Sequence, residues 1–257
     1  MTPLSQGERL RYSILFLFTL LLVPQQAALA SDKIVKDSIT SQNKKRSFYL
    51  FAPESIKSGT PAPLIVLLHG SGHNGLSLVD KWKDLAAKEG VIIVGPDSME
   101  PARWASPVDG PDFLHDLVEN IKSKYTIDPR RVYLFGHSGG AVFALYMSLF
   151  ESQYFAAAAV HAGALGRQDP AISLAKRKTP IAIYVGTRDP FFPLDDVRGT
   201  RDDLNTRGFA VVLAEMAGHD HNYYGSASKI NQSAWEFLSK HRLSEDPEYE
   251  QYRWNQK

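Results

Sequence analysis

The sequence predicts an α/β chain: a mostly parallel central sheet with helices on both faces. Three observations carry that expectation. Short apolar runs alternate with segments of helical periodicity, the pattern of repeated strand–helix units. Two runs, Leu64-Ile65-Val66-Leu67-Leu68 and Val91-Ile92-Ile93-Val94, are apolar at every position, as strands covered on both faces are. A third, Val132-Tyr133-Leu134-Phe135, enters the pentapeptide Gly136-His137-Ser138-Gly139-Gly140, and Ala141 to Met147 behind it has helix character.

In chain order, the first thirty residues read as a targeting segment. Arg9 and Arg11 precede the apolar stretch Ile14 to Val23, and Ala28-Leu29-Ala30 supplies small residues before a cut. At ~10 residues the stretch is short for a membrane span. Cleavage after Ala30 is expected, with the mature chain working outside the cytoplasm and not inserted in the membrane. Residues 31–243 are then one domain and 244–257 a charged, aromatic tail without a readable period.

Ile34 to Thr40 and Ser47 to Phe51 form an edge hairpin around the polar turn Ser41 to Lys45. Leu64 to Leu68 is the first buried strand and ends in His69-Gly70-Ser71-Gly72. Leu78 to Glu89 has helical spacing at Val79, Trp82, Leu85 and Ala86, and Gly90 stops it. Val91 to Val94 is a strand, Met99 to Gly110 a loop. Phe113 to Tyr125 is a helix, with Asp112 expected as its N-cap. After the pentapeptide and its helix come strand Phe155 to Val160, strand Pro180 to Val185, helix Asp195 to Arg207, strand Phe209 to Leu213 and helix Ser226 to His241.

Composition narrows the function. The chain has 257 residues, 44% of them hydrophobic, and a net charge of +1. That charge gives no electrostatic reason to expect nucleic acid or a membrane surface as partner. The absence of cysteine excludes a disulfide framework, a cysteine nucleophile, thiolate metal sites and a lipidated N-terminal cysteine.

The pentapeptide has the form G-x-S-x-G between a strand and a helix, a turn so tight that its flanks tolerate little beyond hydrogen. Such a turn exposes Ser138 at a strand end, with the positive end of a helix aimed at it. A nucleophilic serine needs a base, and the base an orienting acid. On open parallel sheets these belong just past strand ends. Asp189, in Gly186-Thr187-Arg188-Asp189-Pro190, is the candidate acid. Asp195 and Asp196 compete with it but read as the first turn of a helix. Gly218-His219-Asp220-His221-Asn222-Tyr223-Tyr224 offers two histidines as base. His219-Asp220-His221 also permits a metal reading, for which no further ligands are spaced nearby. The order serine, acid, histidine matches one of the known triad orders. Oxyanion donors are expected from the amides of Gly139 and Ser71. His137 and His69 read as structural.

Leu68-His69-Gly70-Ser71-Gly72, the stretch from Tyr125 through Gly140, and the Asp189 loop together resemble secreted α/β-hydrolases of the esterase and polyhydroxybutyrate-depolymerase-like group. Gly218 to Tyr224 is similar to the histidine loop of S-formylglutathione hydrolases, where an aromatic follows the catalytic histidine after one residue. That resemblance selects His221 over His219. Cysteines that many secreted depolymerases carry near the site are missing here. The resemblance covers roughly Arg46 to His241 and implies carboxylic ester hydrolysis through Ser138, His221 and Asp189, without metal or organic cofactor, on a small-molecule or polymer-end ester. A prolyl-oligopeptidase-like peptidase ranks second, since those enzymes usually carry a further large domain; a non-catalytic binding protein on the same scaffold ranks third. The connection from His161 to Thr179 is too short for a helical cap domain, so an open cleft is expected. Trp104 is a candidate wall of that cleft or an anchor of its own loop.

Overall fold

The computed structural model describes residues 31–56 and 59–249; the expected targeting segment lies outside them. The elements run β1 (Ser31–Ser41), β2 (Lys44–Ala52), β3 (Ala62–Leu68), α1 (Gly75–Glu89), β4 (Ile92–Pro96), α2 (Pro111–Lys124), β5 (Ile127–His137), α3 (Gly139–Phe150), β6 (Ala157–His161), a 3-10 turn (Pro170–Leu174), β7 (Ile181–Gly186), α4 (Leu194–Thr206), β8 (Val211–Met216) and α5 (Tyr223–Leu238). They build one sheet in the order β1-β2-β4-β3-β5-β6-β7-β8. β1 and β2 pair antiparallel at the edge, β2 meets β4 antiparallel, and every other pair is parallel. This is the α/β-hydrolase arrangement. Among the described residues no helix is long and apolar enough to cross a membrane.

The period of two along a strand divides the core. Leu64, Val66 and Leu68 face the layer of α2 and α3, among Leu114, Leu117, Phe143 and Leu145. Ile65 and Leu67 face the opposite layer, among Leu78, Val79 and Trp82 of α1 and Tyr223, Ile230 and Ala234 of α5. Continuous apolar strands thus arise because both faces are roofed.

Several expected boundaries move, each for a local reason. Asp112 is not the N-cap of α2. Gly110 holds that place and Pro111 takes the first helical position, where its missing N–H costs nothing. Asp112 instead accepts a hydrogen bond from the Tyr249 hydroxyl. Phe155 and Phe209 precede their strands, because their N–H groups close the ends of the preceding helices on Glu151 and Leu204. α5 starts before Ser226, because the Asn222 side chain accepts from the Gly225 N–H. The tail is pinned as far as Tyr249: Leu243 N–H donates to Arg130 O at 3.0 Å, and Tyr249 stacks on His115 with centroids 3.7 Å apart.

Candidate active site

The site sits past the carboxyl ends of β3, β5, β7 and β8. Ser138 joins β5 to α3 with φ 55° and ψ −121°, a conformation that a side chain adopts only at a cost of roughly 1–3 kcal/mol. The flanking glycines are steric requirements. A Cβ at Gly136 would lie 2.2 Å from Gly140 O, and one at Gly140 would lie 2.0 Å from Leu68 O. Ser138 N–H donates to His161 O, and Ser138 O accepts from Ala141 and Val142 N–H, so the turn is fixed on both sides.

His221, on the loop between β8 and α5, reaches over this turn. Its Nε2 is 2.9 Å from Ser138 Oγ, and its Nδ1 is 2.8 Å from Asp189 Oδ2. An ionised carboxylate only accepts hydrogen bonds, so Nδ1 carries the proton; Nε2 is then bare and accepts from the serine hydroxyl. The Asp189 side chain is fully buried, and its Oδ1 accepts from the N–H groups of Phe191 and Phe192 at 2.9 and 3.0 Å. Phe192 stacks on the His221 ring with 14° between planes, and Phe191 stands edge-on to it at 4.8 Å. Asp195 and Asp196 lie in the first turn of α4.

Gly139 is the first residue of α3, so its N–H has no intrahelical acceptor. The Ser71 loop lies against it: a Cβ at Gly139 would come 3.6 Å from Ser71 N. Ser71 thus packs directly against the first residue of α3. His219 does not approach Ser138; its Nε2 is 3.1 Å from His161 Nε2. With both nitrogens of His221 committed, the His219-Asp220-His221 run offers no converging ligand set, and among the described residues no group of three His, Cys, Asp or Glu could hold a metal ion.

A cavity of about 400 Å³ opens above Ser138, lined by Ser71, His73, His137, Phe191, His221 and Tyr224 among others. Trp104 is not among its lining residues. Its Nε1–H donates to His69 O at 2.8 Å and its ring stacks on Phe143 at 5.2 Å, so it anchors its loop. Asp109 holds the same loop, accepting from Arg46 at 2.5 Å and from Met99 and Ala105 N–H. The walls are instead Phe191, which is 70% exposed, and the His73–Tyr224 pair, with centroids 5.0 Å apart. Sequence reasoning missed these three. Their signal was position alone: His73 and Phe191 each lie five residues past a strand end, Leu68 and Gly186, and Tyr224 closes the Gly218 to Tyr224 histidine loop. No residue of the 162–179 connection lines the cavity.

His137 and His161 are buried, and their Nδ1 atoms lie 3.0 Å apart. Burial, reinforced by neighbouring histidines, pushes His137 down to about 3 and His161 to about 2. In the unfolded chain both take protons near pH ~6.5, whereas the folded rings stay neutral far below it. The unfolded state then binds more protons, so this contribution is complete above pH ~6.5 and is lost as pH falls. The slope reaches about 1.4 kcal/mol per pH unit for each ring. Urea midpoints are expected to drop steeply between pH ~6.5 and ~4, and less steeply in His161→Gln; equal slopes in the two proteins would refute this.

Comparison with known proteins bears on the family and the fold. Residues 94–239 match the dienelactone hydrolase family. A bifunctional acetylxylan esterase/xylanase from Neocallimastix patriciarum is 28% identical over 171 residues, covering 65% of this chain and 25% of that protein. Poly(3-hydroxyalkanoate) depolymerase C from Paucimonas lemoignei is 28% identical over 174 residues, covering 62% of this chain and 41% of that one. The chain therefore spans less than half the length of these curated relatives. A crystal structure of a thermostable esterase superposes with a TM-score of 0.67 at 21% identity, over 83% of this chain and 64% of the other.

Proposed function

The chain belongs to the dienelactone hydrolase family, and from that premise we propose that it is a serine hydrolase of carboxylic esters. The observation that carries the reading is the unbroken hydrogen-bond chain from Asp189 through His221 to Ser138 beneath an open cavity. Ser138 Oγ attacks the ester carbonyl while His221 Nε2 takes its proton. The amides of Ser71 and Gly139 hold the oxyanion. His221 then returns the proton to the leaving alcohol; water deprotonated by the same base attacks the acyl carbon, and that proton passes to Ser138 Oγ as the acid is released. Asp189 keeps the imidazole in the required tautomer and offsets its charge. No metal takes part, and the enzyme acts outside the cytoplasm after cleavage near Ala30.

The cavity favours esters with a planar or ring-containing group. Its side-chain walls are mostly aromatic rings and polar groups, with Pro190 contributing the aliphatic surface among the described lining residues. Phe191→Ala is expected to raise KM for aryl esters by about 3- to 10-fold with kcat little changed, the worth of one aromatic contact. Unchanged KM across acyl groups would remove Phe191 from the binding site. The reading itself is tested with a panel of activated esters and matched peptides. Ester turnover well above buffer, unaffected by chelators, is the expected result; cleavage of peptides alone would favour the peptidase alternative.

A further inference from the structure

Beneath the cavity floor, three histidines from three elements meet through their ring nitrogens: His137 at the end of β5, His161 at the end of β6, and His219 before α5. His137 Nδ1 is 3.0 Å from His161 Nδ1, and His161 Nε2 is 3.1 Å from His219 Nε2. The proposed reaction uses none of these nitrogens. At such distances each contact holds one proton, with one ring donating and the other accepting. His161 is wholly buried with both nitrogens engaged. When neutral it has one N–H, so if it donates on one side it must accept on the other. Taking the ring-to-ring contacts alone, only two arrangements satisfy both, and the His161 carbonyl offers the His137 ring a further acceptor. In the first, the protons sit on His219 Nε2, His161 Nδ1 and His137 Nε2. In the second, they sit on His137 Nδ1, His161 Nε2 and His219 Nδ1.

We propose that these rings form one proton-ordered relay, in which His219 at the surface end sets which nitrogen of His137 is protonated at the cavity end. A charged His219 carries protons on both nitrogens, so its Nε2 must donate and only the first arrangement survives. His137 then presents an N–H on its Nε2 edge. That edge borders the cavity. Nδ1 is committed to His161, a Cβ at Gly70 would lie 3.1 Å from His137 Cδ2, and both residues line the cavity. With His219 charged, the floor selects ligands that place a hydrogen-bond acceptor there, such as a carbonyl, ether or hydroxyl oxygen. With His219 neutral, the second arrangement also offers a lone pair to a donor. His137 thereby becomes a specificity-determining residue whose polarity is set two rings away.

Burial supports the direction of control, because it disfavours an added proton on His137 and His161, while His219 is the least buried of the three rings. The titratable and charged groups around the relay are His73 on the β3–α1 loop, Tyr184 on β7, and Arg188 and Asp189 on the β7–α4 loop. On the β8–α5 side they are Asp220, His221, Tyr223 and Tyr224.

The relay stands on ring geometry and not on the proposed reaction, so its test reads protons instead of turnover. Histidine-¹⁵N-labelled protein is followed by long-range ¹H–¹⁵N correlation spectra through the titration of His219, with His219→Gln and His161→Gln used for assignment. Once His219 is charged, His161 is expected as the Nδ1–H tautomer and His137 as the Nε2–H tautomer, both still neutral. At every higher pH the three rings are expected to occupy only the two matched sets. His137 found as Nδ1–H while His219 is charged, or any mixed set, overturns the proposal. Either result leaves the esterase reading to its own test.

Discussion

Ser138→Ala is expected to reduce ester turnover by ~10⁴-fold or more, because the group that bonds to the carbonyl is gone while the binding surface remains. The loss should fall on kcat, with KM for small esters little altered. The fold should survive: Ser138 strains the backbone at φ 55°, and none of the bonds that fix the turn uses its side chain except the one to His221. Ser138→Gly extends the argument. Removing the side chain from this conformation is expected to raise stability by about 1 kcal/mol in urea melts while abolishing turnover equally. A folded Ser138→Ala protein retaining a near-wild-type rate would sink the assignment.

His221→Ala is expected to match Ser138→Ala, and Asp189→Asn to cost a comparable ~10⁴ by leaving the imidazole in the wrong tautomer. His219→Ala should stay within about tenfold of wild type, since its ring contacts His161 and not the serine. The comparison is sharp because the two histidines are two residues apart in one loop. The reverse ranking would show that the base has been misassigned while the serine mechanism survives. A buried Asp189 carboxylate left without His221 should also destabilise His221→Ala by a few kcal/mol, so folding of that variant is checked by circular dichroism before its rate is read.

What could be read from the sequence follows from how local each feature is. The turn at Ser138 is legible because its steric demands fall on residues within two positions, Gly136 and Gly140. The buried strands are legible because double-sided burial leaves no polar position in Leu64 to Leu68. Strand order is not local, and nothing in β2 announces that it pairs antiparallel with β4. The role of Trp104 was open from sequence, because an aromatic in a loop can face a cleft or hold the loop down. The indole N–H bonded to His69 O resolves it as an anchor. Phe191 and the His73–Tyr224 pair escaped notice because no spacing rule marks a cavity wall. His161 escaped for a different reason: a lone strand-end histidine has no sequence partner, and its meaning appears only when His137 and His219 arrive from other elements.

The central claim is that Ser138 is the nucleophile that takes the acyl group. It is tested most directly by treating the purified protein with a fluorophosphonate, measuring intact mass and mapping the adduct by peptide sequencing. The account predicts a single stoichiometric adduct on Ser138, formed in step with loss of ester turnover, absent from Ser138→Ala and strongly slowed in His221→Ala. No adduct, or an adduct on another residue that persists in Ser138→Ala, would contradict it.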